Sequence, residues 1–196
     1  MAFKADKPYN DLPLLPPEAD LESKAILKKC VEAARALAEL KGAARLIPDP
    51  SVLINSIPLR EAQASSEIEN IVTTADALFR AAALEGEPTD QAVKEVLSYR
   101  SALRQGFERL QKRPISTNMF IEICSTLKNT QMDLRKLPGT KIINQATGKI
   151  VYTPPEGEAI IRSKLDNLEK FLHEENGLDP LIRLAVIHYQ FEAIHP

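Results

Sequence analysis

The chain has 196 residues, and its 25 lysines and arginines against 27 aspartates and glutamates give a formal net charge of -2. Hydrophobic residues make up 44% and charged residues 27%, which is typical of a globular domain that can bury a core without a disulfide or a metal. The near-neutral charge argues against a nucleic-acid coat and a polybasic membrane-binding protein, so we expect neither nucleic acid nor a membrane as a partner.

The first part of the chain indicates an extended arm followed by helices. The proline-rich residues 1–20 predict an arm that lies along the body of the protein. Apolar residues at helical spacing then predict a helix over about 21–41, for which Gly42 is a suitable end. A second helix is predicted over about 58–83, because Pro58 fits a first helical turn, where its missing N–H costs nothing.

The remaining elements follow from periodicity and from capping residues. Ser116 can cap one helix, and Asp179 followed by Pro180 is a typical start of another. Short apolar runs on either side of residues 144–149 predict a two-stranded hairpin. The elements predicted here are helices over about 89–112, 117–128, 156–174 and 180–194, and a hairpin over about 141–153. The predicted fold class is therefore all-α, a helical bundle with one short β-hairpin.

The cysteines and the N-terminus bear on the compartment. Cys30 and Cys124 each lie within an apolar helical pattern, far apart in sequence, so we expect core thiols rather than a disulfide. The polar, proline-broken N-terminus is not typical of a signal peptide, and the sequence has no run near the roughly 18 apolar residues of a membrane span. We therefore expect a cytoplasmic protein.

The last predicted helix carries the first candidate site. It is apolar nearly all round, which is typical of the buried centre of a bundle. We interpret His188 as a buried core residue, because a metal site formed with Glu192, four residues later, would lack a third ligand at usable spacing. His195 follows the helix directly, where side chains enter loops, and it is the candidate catalytic residue.

The second predicted helix carries another candidate pair. Ser65 and Glu69 stand four residues apart and share one helix face. Glu69 borders an apolar stripe, where a carboxylate needs a cationic partner or becomes costly to bury. An ordinary solvated acidic patch is the alternative interpretation.

These two segments together resemble the Fic-domain proteins of the Fic/DOC family. One is similar to the helix that enters the family's signature loop, in which His-Pro precedes an apolar residue and an acidic-Gly-Asn-Gly-Arg run; here it is His188-Tyr189-Gln190-Phe191-Glu192-Ala193-Ile194-His195-Pro196. The other, Ser65 to Asn70, is similar to the family's inhibitory helix: Ser or Thr, three residues, Glu, then Gly or Asn. The resemblance implies a chain truncated within the signature, with an arm and inhibitory helix in 1–88 and an incomplete Fic core in 89–196.

The function that the resemblance implies is AMP transfer from ATP, with Mg²⁺, to a Ser, Thr or Tyr hydroxyl of a protein. His195 would be the general base that takes the hydroxyl proton. The hairpin, with Ile150, Val151 and Tyr152, would be a flap that docks the target by strand addition. Glu69 would be an inhibitory carboxylate that occupies the arginine meant for the γ-phosphate, and Ser65 would steady its helix.

The sequence also departs from the family's pattern. The Mg²⁺ ligand, the Gly-Asn-Gly run and its arginines would follow Pro196, so no metal ligand is assigned within this chain, and we expect the 196 residues alone to transfer little or no AMP. The stretch 135–140, Arg-Lys-Leu-Pro-Gly-Thr, differs from the usual Pro-Gly-Glu-[Phe/Tyr]-Arg. Two alternatives stay open: a helical interaction module without catalysis, and a Fic enzyme with UMP, phosphocholine or phosphate as donor. A homodimer also stays open.

Overall fold

The computed structural model describes residues 3–44, 46–49, 51–68, 71–83 and 90–195. Its helices are α1 (Lys24–Ala44), α2 (Ser51–Ile68), α3 (Ala75–Ala83), α4 (Gln91–Leu110), α5 (Thr117–Lys128), α6 (Glu158–His173) and α7 (Pro180–Ile194). Its strands are β1 (Ile142–Ile143) and β2 (Ile150–Tyr152), which pair as one antiparallel hairpin. The predicted all-α class with a short hairpin is confirmed.

The chain folds into two compact units. The terminal unit combines residues 1–40 with residues 134–196, and the central unit contains residues 41–133. The boundary predicted after residue 88 concerns a division by function and stays a prediction. Helix α1 runs across the limit at residue 40 and buries none of its residues, although its sequence carries an apolar stripe.

The central unit is built around α4. Asp90 caps this helix by accepting hydrogen bonds from the backbone N–H groups of Ala92 and Val93. Ser116 caps α5 in the same way, as predicted, and Asn129 ends it in the left-handed conformation. The buried side chains that join α2 and α3 to α4 are Leu59, Ala62, Leu78, Val93 and Val96. Burial of an aliphatic side chain of this size contributes about 1.5–3 kcal/mol.

The single helix predicted over about 58–83 is wrong. Helix α2 begins at Ser51 with Pro58 inside it, and α3 starts only at Ala75. Pro58 is accepted because the cost of one missing helical N–H is offset by the burial of Leu59 on the core. Helix α3 begins separately because the Thr74 hydroxyl accepts a hydrogen bond from the N–H of Ala77, at 3.2 Å. Gly42, expected to end the first helix, lies inside α1.

In the terminal unit the N-terminal arm packs along the helices, as its sequence predicted. Leu12 and Leu15 are buried. The side-chain amide of Asn167 donates to the carbonyl of Leu15 at 3.0 Å, and its oxygen accepts from the Leu15 N–H at 2.7 Å. The buried Gln190 on α7 donates to the carbonyl of Pro13 at 2.9 Å. These bonds satisfy the arm's backbone, which has no strand or helix partner of its own.

Helix α7 is not buried all round, contrary to the sequence prediction. Asp179 and Pro180 begin it as expected. Its buried residues recur every four positions on one face: Ile182, Val186, Gln190 and Ile194. Leu184 and Tyr189 are 62% and 64% exposed, and His188, predicted to be buried, is exposed. The helix is apolar on two sides, but in the described residues only one of them is packed.

Three findings concern the predicted compartment and chemistry. No helix in the described ranges is long and apolar enough to cross a membrane. Cys30 and Cys124 are both free, as expected, but each is only half-buried rather than a full core thiol. Nowhere among the described residues are three or more His, Cys, Asp or Glu side chains grouped to hold a metal ion.

Candidate functional site

His195 closes α7 and is accessible to solvent. Its backbone N–H donates to the carbonyl of Phe191 at 3.0 Å, so the residue forms the C-cap of the helix. The imidazole meets the Phe191 ring edge to face, with centroids 5.5 Å apart and planes at 90°. An exposed imidazole held by one aromatic contact is available for proton transfer to a bound molecule.

The two carbonyls before His195 are held by side chains from the region of the hairpin. The Tyr152 hydroxyl, on β2, donates to the carbonyl of Ala193 at 2.6 Å. The Arg135 guanidinium donates to the carbonyl of Ile194 at 3.1 Å and to that of Pro155 at 2.9 Å. The last carbonyls of a helix have no partner within the helix, so these donors satisfy groups that would otherwise turn to water.

Tyr152 is itself fixed by the N-terminal arm. The ring of Phe3 stacks on it at 6.0 Å between centroids, and Tyr9 meets it edge to face at 6.5 Å. Burial, followed by the neighbouring Tyr189 and Tyr9, raises the pKa of Tyr152 to about 12. The hydroxyl therefore keeps its proton, and remains a donor to Ala193, throughout the neutral range.

The hairpin is closed by bonds within its own turn; its role as a flap stays a prediction. Ile142 pairs with Tyr152 and Ile143 with Ile150, with an irregularity between the two pairs. The Asn144 side-chain oxygen accepts from two backbone N–H groups of the turn, each at 3.0 Å. Val151 is exposed, and Ile150 and Tyr152 are half-buried. With only two strands, the hairpin presents backbone edges to which an extended segment can add.

The base of the flap is tightly anchored. Thr153, Pro154 and Pro155, which follow β2, are all buried. The Thr153 hydroxyl donates to the carbonyl of Ala5 at 2.7 Å, and its own carbonyl accepts from the N–H of Tyr9 at 3.1 Å. The anchor thus comes from the N-terminal arm, about 150 residues away in the chain.

The predicted inhibitory segment lies at the end of α2, in the central unit. Ser65 is half-buried, and its hydroxyl donates to the Glu61 carboxylate at 3.3 Å. The carbonyl of Ser66 accepts from the N–H of Ile71 at 2.9 Å, a closure over six residues that is common at helix C-termini. Glu69 lies outside the described residues, and its inhibitory role stays a prediction.

The structure thus brings some of the predicted residues together. His195 and the flap residues Ile150, Val151 and Tyr152 belong to the terminal unit, and Tyr152 bonds two residues before His195. Ser65 belongs to the central unit. Arg135 was not among the predicted site residues. The stretch 135–140 stood out only because it differs from the family's usual sequence. An arginine three residues before a Pro-Gly pair is a weak signal, and its bond to Ile194 spans 59 residues.

One comparison with known proteins bears on this site. Residues 27–108 match the family model described as Fic/DOC family N-terminal. The match runs from α1 into α4 and includes the Ser65 to Asn70 pattern. It ends before the flap and α7, so the sequence pattern around His195 is a separate indication.

Proposed function

We propose that the chain carries the catalytic base and the target flap of a protein adenylyltransferase, because residues 27–108 match the N-terminal model of the Fic/DOC family. The reaction moves AMP from ATP to a Ser, Thr or Tyr hydroxyl of a protein and releases pyrophosphate. The observation that carries the proposal is the exposed His195 imidazole at the end of α7, one residue after two carbonyls bound from the flap region.

His195 is the general base in this proposal. An imidazole changes its charge near neutral pH, so it can accept the proton of an incoming hydroxyl under working conditions. The attacking oxygen then forms a bond to the α-phosphorus of ATP, and the bond from that phosphorus to the pyrophosphate oxygen breaks. His195 needs no more than contact with the hydroxyl, and its exposure allows that contact.

The flap supplies the orientation of the target. A strand that adds to the hairpin edge is fixed through backbone hydrogen bonds, with little demand on its side chains. Exposed Val151 and the half-buried Ile150 offer apolar surface beside that edge. In-line attack requires the hydroxyl to be placed accurately, and a flap anchored through Thr153 is suited to that task.

Glu69 and Ser65 provide the proposed regulation. A carboxylate that binds the arginine intended for the γ-phosphate would keep ATP out of its productive position. Ser65, on the last turn of α2, would steady the end of the helix that precedes Glu69 in sequence; its hydroxyl donates to the Glu61 carboxylate on the same helix. This part rests on the family resemblance of residues 65–70.

The described residues do not supply a site for the Mg²⁺ that the family uses. They contain no group of three or more carboxylate, imidazole or thiol side chains that could hold a metal. The transfer assay uses the complete product of the gene that encodes this chain, called the extended protein below.

The proposal is tested by labelled AMP transfer to protein acceptors from α-labelled ATP. His195→Ala should lower the transfer rate about 100-fold or more, because a general base contributes a factor of this size. The matched control is His188→Ala, since His188 is an exposed histidine on the same helix. Equal rates for wild type and His195→Ala would contradict the proposal.

The second candidate function is a helical interaction module that docks a partner without chemistry. The observation that favours it is the exposed flap, where Ile142, Ile143 and Val151 are 45%, 44% and 52% accessible. Calorimetry with ATP on the extended protein separates the two: a module shows no heat of nucleotide binding. Competition of labelled ATP with UTP or CDP-choline identifies a Fic enzyme that uses another donor.

A further inference from the structure

We propose that Arg135 and Tyr152 are positioning residues that join the last turn of α7 to the flap, so that His195 and the target-holding strand keep one fixed geometry. Only the kinetic effect expected from this coupling rests on the proposed function. The structural coupling itself can be tested without any activity.

The first step is the location of the bonds. Tyr152 donates to Ala193 and Arg135 to Ile194, which are the last two residues of α7. His195 follows immediately, with its backbone still in the helical region. A small rotation of either peptide unit would swing the imidazole, because side-chain direction in a helix follows the backbone.

The second step is that the same side chains belong to the flap. Tyr152 is the last residue of β2, and Arg135 precedes β1 by seven residues. Arg135 also donates to the carbonyl of Pro155, beyond the other end of the hairpin. One guanidinium therefore links the segment before the flap, the segment after it and the end of α7.

The third step is that the donors suit their acceptors. The C-terminus of a helix carries partial negative charge, and a guanidinium is the side chain that forms two directed bonds while balancing it. Burial lowers the pKa of Arg135, and the nearby Glu156 opposes that change. Tyr152 is locked by its ring contacts with Phe3 and Tyr9, so its hydroxyl has little freedom to leave Ala193.

The direct test observes His195 in the 196-residue chain by ¹H–¹³C NMR of the imidazole rings. His195→Gln and His188→Gln assign the signals, and His188 serves as the internal control. The test variants are Tyr152→Phe and Arg135→Gln. Tyr99→Phe and Arg162→Gln are the matched controls, because Tyr99 lies on α4 in the central unit and Arg162 is accessible on α6.

We expect the two test variants to shift and broaden the His195 ring signals while the His188 signals stay in place. The control variants should leave both unchanged. Arg135→Lys should restore the wild-type signals only in part, since an ammonium keeps the charge but not the planar, directed N–H groups of the guanidinium. Unchanged His195 signals in Tyr152→Phe and Arg135→Gln, with the fold intact by circular dichroism, would overturn the coupling.

The kinetic arm uses the extended protein. Loss of positioning should lower kcat for AMP transfer about tenfold while KM for ATP changes less than about twofold, because both side chains bond backbone carbonyls and act through His195. A fall in kcat without any change in the His195 signals would contradict positioning. If the wild-type extended protein transfers no AMP, the proposed function fails, while the NMR arm still decides the coupling.

If the single test variants lower the melting temperature enough to unfold the chain, Tyr152→Phe is measured at reduced temperature. This variant keeps the aromatic contacts and removes only the hydroxyl, so it separates the hydrogen bond from the packing of the ring. Normal His195 signals in that folded variant would also count against the proposal.

Discussion

The ends of α2 and α7 carry the two predicted motifs, yet they are held in different ways. The end of α2 is closed by local bonds: Ser66 to Ile71, and the Gln63 side chain to the carbonyl of Thr73 at 2.8 Å. The end of α7 is held by Tyr152, which bonds Ala193, and by Arg135, which bonds Ile194 and lies still farther away in sequence. The difference indicates that the geometry around His195 depends on the whole terminal unit, whereas the α2 end depends on its own segment.

The largest expected effect comes from a cavity in the core of the terminal unit. Leu168 on α6 is fully buried in the terminal unit. Leu168→Ala should lower the free energy of unfolding by about 2–5 kcal/mol, because the deleted side chain leaves a cavity. Urea denaturation measures this, with Leu184→Ala as a near-neutral control since Leu184 is 62% exposed. A loss under about 1 kcal/mol would mean that this core does not support the site.

The next effect concerns the anchor of the flap. Thr153→Val keeps the shape of the buried side chain but leaves the carbonyl of Ala5 without its donor. We expect the free energy of unfolding to fall by about 1–3 kcal/mol. Thr130→Val, at an exposed position, should change it by less than about 0.5 kcal/mol. Similar values for the two variants would show that the arm does not hold the flap.

The proposed inhibitory role of Glu69 predicts an effect on activity rather than on stability. In the extended protein Glu69→Gly should raise AMP transfer about tenfold or more, because it removes the carboxylate that competes with the γ-phosphate. The matched control is Glu67→Gly, an exposed glutamate two residues earlier on α2. Equal rates for wild type and Glu69→Gly would exclude self-inhibition through this residue.

The smallest effect is a pH dependence at the α7 end. The pKa of Tyr152 is raised to about 12 in the folded chain, mainly by burial, while Tyr189, Tyr9 and Arg135 face it. The unfolded pKa is about 10. The folded state favours the protonated hydroxyl, so its contribution is complete below about pH 10 and is lost as pH rises towards about 12.

This contribution is on the order of 1 kcal/mol, because Tyr152 is only partly buried and solvent screens the shift. Urea denaturation at a series of pH values between neutral and about 11 measures it. Tyr152→Phe should flatten the fall in stability relative to wild type. Parallel curves for wild type and Tyr152→Phe would contradict the assignment.

Local signals predicted most of the secondary structure. Ser116 and Asp179 begin helices because their side chains bond the first free N–H groups, which depends only on neighbouring residues. The hairpin could be predicted because Asn144 and Gly148 suit a turn between two apolar runs. These features need no knowledge of the rest of the chain.

The features that were predicted wrongly or not at all are those that tertiary packing decides. The break between α2 and α3 is decided by how Leu59 and Leu78 both reach the core built on α4, which periodicity alone does not reveal. The exposed position of His188 likewise depends on which face of α7 meets its neighbours. Arg135 could not be found because its partner at Ile194 is 59 residues away and is a backbone carbonyl.

The most direct measurement is a crystal structure of the extended Glu69→Gly protein with an ATP analogue and a peptide that it modifies. The peptide should pair with the flap edge, and its hydroxyl oxygen should lie within about 3.2 Å of an imidazole nitrogen of His195. A peptide bound away from the flap, with its hydroxyl out of reach of His195, would contradict the proposed mechanism.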